Sequence, residues 1–326
     1  MRKFNYSHRI VSDRIGLSSK MRTHKWTKDG RPVFCLCDDR YLTENIVYAE
    51  ASPPISLRTT DGKSYPLIAG NESQSGYIEG VWRAARFRWI SSCLHLNKTS
   101  LLVVDSGNHC MRLVDRISHQ TSPFVGSCTH AGYRDGDEPL FRSPRKVILD
   151  LLNNNQLLLL DRSNHALRAI NMRNMSASTL AVFNTSLQQK SIAQHTDGNV
   201  YVFEGSTLVK YDYVTQTITL VAGSSHGTGE LRDGPLLESQ FGALGTLDIM
   251  FLNSNDMLVT DILNGRLRLV DLGWNMVFSI CDGRKLYGSR NLKTCQLYPN
   301  PRALLAVNNK IYVGCSERIE VIQGIL

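Results

Sequence analysis

The chain has 326 residues, 42% of them apolar, with a formal net charge of +8. That length admits two ordinary domains or one large closed β architecture, and the apolar content with only moderate charge excludes wholesale disorder. No apolar run reaches the roughly 18 residues that a membrane-spanning helix needs, and the basic balance favours acidic partners over basic ones. The opening stretch MRKFNYSHRIVSDR is basic but has no apolar segment behind it, so it does not read as a signal peptide. The expectation is either an intracellular protein or a segment of a longer precursor. HRIVSDRI, at 8–15, alternates apolar and polar residues and is expected to form a strand.

From there the chain repeats itself. A degenerate first unit covers 32–70, followed by units at 71–127, 128–183, 184–224, 225–283 and 284–326. The second and third carry nearly one sentence: LLVVDSGNHCMRLVDR at 101–116 and LLLLDRSNHALRAINM at 157–172. The longer copies at 75–115, 131–171 and 229–271 share fixed landmarks. An acidic residue precedes Gly (Glu79, Asp135, Asp233), then comes Phe (Phe87, Phe141, Phe241). A strand ending in Asp follows (Asp105, Asp161, Asp261), then an Asn-centred turn, then a strand bearing Arg (Arg112, Arg168, Arg268). LIAG (67–70), FVGS (124–127), LVAGS (220–224) and SICDG (279–283) close units. The stretches 197–223 and 302–324 each read as three alternating strands. No helical period of useful length competes.

Six such units, each about 40 to 60 residues, are blades of a β-propeller, because a twisted four-stranded sheet buries both faces only against neighbours in a ring. The fold expected is all-β: one six-bladed domain over 1–326. The last unit shows three strands before the chain ends, so the strand at 8–15 is expected to complete it.

The landmarks resemble the NHL repeat, named for its Asn-His-Leu core. The core here reads Asn108-His109-Cys110, Asn164-His165-Ala166 and Asn264-Gly265-Arg266, without the Leu in any copy and without the His in one. The resemblance implies an NHL-type propeller of six blades. One branch of that family, the peptidyl-hydroxyglycine lyase of peptide amidation, holds a central zinc with three histidines. Of the nine histidines here, His109 and His165 belong to repeated turns, and only His95 is expected on an innermost strand near the channel. A zinc lyase is therefore disfavoured, and no metal or other cofactor is expected. The turn histidines are expected to be structural, since Asn-His suits a left-handed turn. The repeated Asp and Arg are expected to brace neighbouring strands. A Gly-rich stretch at 223–234 lies between strands, not before a helix, so it is weak as a phosphate cradle.

A second branch, the tripartite-motif proteins, binds single-stranded RNA on a basic propeller face. Arg83, Arg86, Arg88, Arg134, Arg142 and Arg145 cluster in inter-blade loops with Trp82, Trp89 and Tyr133 interleaved. That combination suits an acidic partner.

The cysteines set the compartment. Eight are present, with no CxxC spacing. Pairing the strands around His119 sets Arg112 against Gly126, Leu113 against Val125 and Cys110 against Cys128, within reach of a disulfide. Cys281 and Cys295 are expected to pair in the same way; Cys35, Cys37, Cys93 and Cys315 stay unassigned. A disulfide implies an oxidising compartment and makes the sequons at Asn71, Asn97, Asn174 and Asn184 glycosylation candidates, beside a fifth at Asn5. The expectation is an extracellular or lumenal, non-enzymatic recognition module, not inserted in a membrane. It would bind a protein or acidic glycan through Arg83, Arg86, Arg88, Arg134 and Arg142. The alternative is a cytoplasmic RNA binder.

Overall fold

The computed structural model describes residues 21–23, 33–37, 46–50, 55–60, 64–184, 186–224, 231–242, 248–281, 285–287, 300–307, 310–316 and 318–323. Strand β1 (Met21–Thr23) comes first. The first blade holds β2 (Val33–Leu36), β3 (Ile46–Glu50), β4 (Ser56–Thr60) and β5 (Leu67–Gly70). The second holds β6 (Ile90–His95), β7 (Ser100–Asp105), β8 (Cys110–Asp115) and β9 (Thr121–Val125). The third holds β10 (Lys146–Leu149), β11 (Gln156–Asp161), β12 (Ala166–Asn171) and β13 (Ala177–Val182). The fourth holds β14 (Gln189–Gln194), β15 (Val200–Glu204), β16 (Thr207–Tyr211) and β17 (Ile218–Ala222). The fifth gathers β18 (Gly234–Pro235), β19 (Ile249–Phe251), β20 (Asp256–Asp261), β21 (Arg266–Asp271), β22 (Met276–Cys281) and β23 (Lys285–Tyr287). The sixth holds β24 (Ala303–Val307), β25 (Lys310–Gly314) and β26 (Ile319–Gln323).

The chain is thus an all-β, six-bladed β-propeller. Its sixth sheet is completed from the N-terminal side, by β1 lying antiparallel to β26 with Met21 opposite Ile322. The closing strand is Met21–Thr23; the 8–15 stretch expected to do this lies outside the described residues.

The apolar runs LLVV and LLLL have a simple cause. Strands β7 and β11 are the second in their sheets and are buried on both faces, so neither face needs a polar residue. Each pair of adjacent blades shares one core. Phe87 and Val103 pack on Val47 and Leu57 between the first and second blades. Val33 and Tyr48 pack on Leu305 and Tyr312 between the first and sixth, closing the ring. The outer strand β17 keeps three of its five residues exposed.

The repeated landmarks are staples. Asp105 Oδ1 accepts the backbone N–H groups of Arg88 (3.1 Å) and Trp89 (3.3 Å), while Oδ2 accepts Asn108 Nδ2 (2.7 Å) and Arg112 Nη1 (3.1 Å). Arg112 also donates to Glu79 (2.9 Å) and to the carbonyls of Ile78 and Arg86, and its guanidinium lies 4.4 Å over the Phe87 ring. Asp161, Asn164, Arg168 and Phe141 repeat this, as do Asp261, Asn264, Arg268 and Phe241. The acidic residue before Gly recurs as the arginine's second partner in Asp135 and Asp233. Each set lashes an inter-blade segment onto its own sheet. His109 and His165 sit at φ 65° and 52°, and the third copy places Gly265 there at φ 60°. Glycine replaces histidine where the turn demands left-handed backbone. Unit-closing Gly126 has φ +90°, and a Cβ there would lie 2.7 Å from the Phe141 ring.

The Cys110–Cys128 disulfide is present, with Cα atoms 5.0 Å apart. The expected strand register is corrected: Met111 faces Val125 and Arg112 faces Pro123, with a bulge between Met111 and Arg112. Strand β9 ends at Val125, so Cys128 reaches Cys110 from beyond the ladder. A second disulfide, Cys37–Cys93, ties the first blade to the second. Cys35 and Cys315 are free and buried, and burial pushes both thiols up to about 12. Cys295 and the Cys281 side chain lie outside the described residues, as does Asn5.

Candidate functional site

Innermost strands β2, β6, β10, β14, β19 and β24 surround the axis. Directly before β19, Asp248 gathers the fourth, fifth and sixth blades. It accepts Ser191 Oγ (2.7 Å) and the backbone N–H of Leu304 (3.0 Å), while its own N–H meets Thr260 Oγ1 (2.7 Å). Lys146 of the third blade donates to both Asp248 oxygens, at 2.9 and 3.1 Å. Neighbouring positions along the same strands open to opposite sides of this clamp. Phe34, Arg145, Lys190 and Arg302 line one cavity; Leu36, Lys146, Ile192 and Leu304 line another.

The first cavity, about 340 Å³, opens among the inter-blade segments and the Asp–Asn turns. Its wall carries four cations, Arg145, Arg162, Lys190 and Arg302, with Phe34 and Trp89, and no carboxylate among the described residues. Local structure holds the three arginines in place. Arg145 directly precedes β10 and donates from Nε to the Lys190 carbonyl (3.2 Å). Arg162 follows staple residue Asp161 and donates to Gln188 Oε1. The Arg302 guanidinium lies 4.8 Å over the Phe34 ring, which meets Trp89 edge-on at 5.6 Å. Arg302 Nε is buried without a hydrogen-bond partner among the described residues.

The cations disfavour one another. Burial lowers Lys190 to about 8, helped by Arg145 and Arg162 and opposed by Asp261. Burial lowers Arg145 to about 10, helped by Arg162 and Arg302 and opposed by Asp248 and Cys35. Burial also lowers Arg162 and Arg302. Crowded, part-desolvated cations gain on receiving an anion, since the anion relieves both penalties.

The arginines singled out in the sequence lie on inter-blade segments leading into this mouth: Arg88 precedes Trp89, and Arg142 lies three residues before Arg145. They differ in what they offer. Arg86 is held by Gln74 and by the carbonyls of Arg83, Ala84 and Ala85. Arg134 is held by Glu138. Arg83, Arg88 and Arg142 are exposed, and their side chains make no hydrogen bond or ion pair among the described residues. Burial, then Arg88 and Arg142, lowers the pKa of His109 between them.

Sequence reasoning missed Arg162, Lys190 and Arg302, which converge only when the ring closes. One signal was available. The residue after the repeated Asp is Ser106, Arg162 and Ile262 in the three copies, and the Arg and Ile both line this mouth. Among the described residues no three His, Cys, Asp or Glu side chains converge as metal ligands would. His95 lies on innermost strand β6, buried, its pKa lowered to about 4 by burial and by Arg116. No described helix is long and apolar enough to cross a membrane.

No protein-family model and no curated protein matches the chain. Solved structures match its fold. An auxiliary nutrient binding protein from Bacteroides ovatus superposes with TM-score 0.63 at 11% identity, over 93% of this chain and 75% of that one. Virginiamycin B lyase from Staphylococcus aureus gives 0.59 at 8%, over 93% and 98%. The extracellular domain of a putative one-component system from B. thetaiotaomicron gives 0.53 at 15%, over 93% and 40%. At these identities the likeness shows the fold alone, and the NHL resemblance stays one of sequence pattern. The expectation of a non-enzymatic module is overturned. It rested on the elimination of catalytic motifs, the three-histidine set among them, and an enzyme, virginiamycin B lyase, shares this fold. What the geometry and these likenesses establish together is a six-bladed β-propeller with a basic axial mouth.

Proposed function

We propose that the ring, as one domain over 1–326, is a recognition module for an anionic ligand of the acidic-glycan class. The ligand binds at the basic axial mouth, and Arg83, Arg88 and Arg142 extend the positive field outward. Arg86 and Arg134 shape their own loops. The observation that carries this reading is the convergence of Arg145, Arg162, Lys190 and Arg302 on one cavity with no carboxylate among the described residues of its wall. The concavity of about 340 Å³ favours a sugar-sized group over a flat protein surface, since small-ligand sites run from about 300 Å³ upward. Phe34 and Trp89 add flat apolar surface beside the charges.

An extracellular or lumenal setting goes with it, supported by the two disulfides. Asn97, Asn174 and Asn184 are exposed and remain glycosylation candidates. Asn71 is half-buried, and its Oδ1 already accepts the N–H groups of Ser73 and Gln74.

Calorimetric titration with a sulfated or uronate-rich oligosaccharide tests this. Salt-sensitive binding is expected, with none for uncharged dextran. Changing Arg162 and Arg302 together to Ala is expected to weaken it by about tenfold or more. Stronger retention of random single-stranded RNA than of the glycan would replace this reading with the nucleic-acid one. Equal binding of dextran would end it.

A further inference from the structure

The cavity on the other side of the Lys146–Asp248 clamp has the opposite chemistry. It measures about 510 Å³ and is walled by innermost strands and by the turns after β10, β14 and β19. Leu149, Phe251, Leu252 and Ala306 are only half-buried there, and Leu151 is 44% exposed. Among the described residues Lys146 is the one Lys, Arg, Asp or Glu in the wall, and it is neutralised by Asp248.

The larger polar side chains of the lining already have partners. Gln194 Oε1 accepts the Leu151 N–H (2.7 Å), while Nε2 donates to Asp150 (2.8 Å) and to the Gly198 carbonyl (3.1 Å). His195 donates from Nε2 to the Ser254 carbonyl (2.9 Å). Asn253 donates to Asp256 (2.8 Å) and accepts the N–H groups of Asn255 and Asp256. What the cavity offers an incoming molecule is therefore mainly apolar surface, including the Phe251 ring, which is held edge-on by Tyr201 at 5.1 Å.

We infer that this mouth is a second binding site, which takes a compact, uncharged, mainly apolar small molecule. Its volume falls within the roughly 300–1,000 Å³ of small-ligand pockets, and covering half-exposed apolar surface supplies the driving force. An added peptide strand is a poorer occupant, because neighbouring blades already occupy inner-edge donors. The Val147 N–H meets Ser92 Oγ (3.3 Å) and the Leu304 N–H meets Asp248 Oδ2 (3.0 Å).

The test titrates the intact chain with N-phenyl-1-naphthylamine, a neutral fluorophore that brightens in apolar surroundings. Saturable binding of one probe per chain, indifferent to added salt, is expected. Ala306→Trp, which fills the mouth, and Leu252→Glu, which charges its rim, are each expected to weaken it by about tenfold or more. Arg302→Gln, at the opposite mouth, leaves it unchanged. Cooperative thermal unfolding confirms that each variant is folded. Absence of saturable binding overturns the inference. So does affinity within about twofold of the parent in whichever of the Ala306 and Leu252 variants folds, or loss of binding in Arg302→Gln.

Discussion

Lys146 Nζ lies 2.9 Å from Asp248 Oδ1, joining the third blade to the fifth past the fourth. The aspartate is 9% exposed and the lysine 21%, so water screens the pair only in part. Removing one partner leaves a desolvated charge. Asp248→Asn is expected to cost about 2–3 kcal/mol, short of the 3–5 typical of a fully buried pair. Lys146→Met combined with Asp248→Leu is expected to recover part of that loss. Chemical denaturation of Lys146→Met, Asp248→Leu and the double variant checks the coupling.

Gly126 ends the second unit at φ +90°, with the Phe141 ring where a Cβ would go. Gly126→Ala is expected to destabilise by about 2–3 kcal/mol, from strained backbone plus overpacking. Gly136 also has positive φ (+94°) but nothing within 4 Å of its Cβ position, so Gly136→Ala suffers the backbone strain alone. Comparable midpoints for the two variants in urea would contradict the steric part of this account.

The staples were legible because they repeat. Asp105, Asp161 and Asp261 recur at fixed distance from Arg112, Arg168 and Arg268, and periodicity in a closed ring separates architecture from chemistry. Ring closure from the N-terminal side was legible from the missing strand, but its location was not. Alternation alone favours 8–15, whereas the strand that pairs with β26 is the short Met21–Thr23. Cys110–Cys128 was within reach because both ends belong to one hairpin, even though a bulge displaced the expected register. Cys37–Cys93 crosses between blades, and no hairpin arithmetic finds it. The basic mouth fails for the same reason. Arg145, Arg162, Lys190 and Arg302 come from three blades, and their convergence is a property of the ring.

Of the eight cysteines, Cys37, Cys93, Cys110 and Cys128 are bonded, so at most four thiols are expected to react in denatured, unreduced protein. Cys35 and Cys315 are among those four. In the native protein both are expected to resist thiol reagents, since burial shields them and holds them protonated near about 12. Eight reactive thiols under denaturing conditions would remove the oxidising-compartment reading along with both disulfides.

Lys190 gives anion binding a predictable pH dependence. Burial, with the Arg145 and Arg162 guanidiniums and against Asp261, lowers it to about 8. An anion in the mouth stabilises the ammonium form, so the bound state holds a proton that the free state gives up near pH 8. Below that pH all four cations are charged and affinity is at its highest. As pH rises through 8, binding must take up a proton, and affinity falls progressively toward the ordinary lysine range near about 10.4. Arg145, lowered to about 10, adds a further decline above that. Titrations at about pH 7 and about pH 9 avoid most histidine ionisation. At fixed ionic strength they should show weaker binding at the higher pH. Repeating the pH 9 titration in buffers of different ionisation heat should reveal proton uptake. Lys190→Arg is expected to keep binding and flatten the profile between the two values. A flat profile in the parent protein would show that Lys190 takes no part in holding the anion.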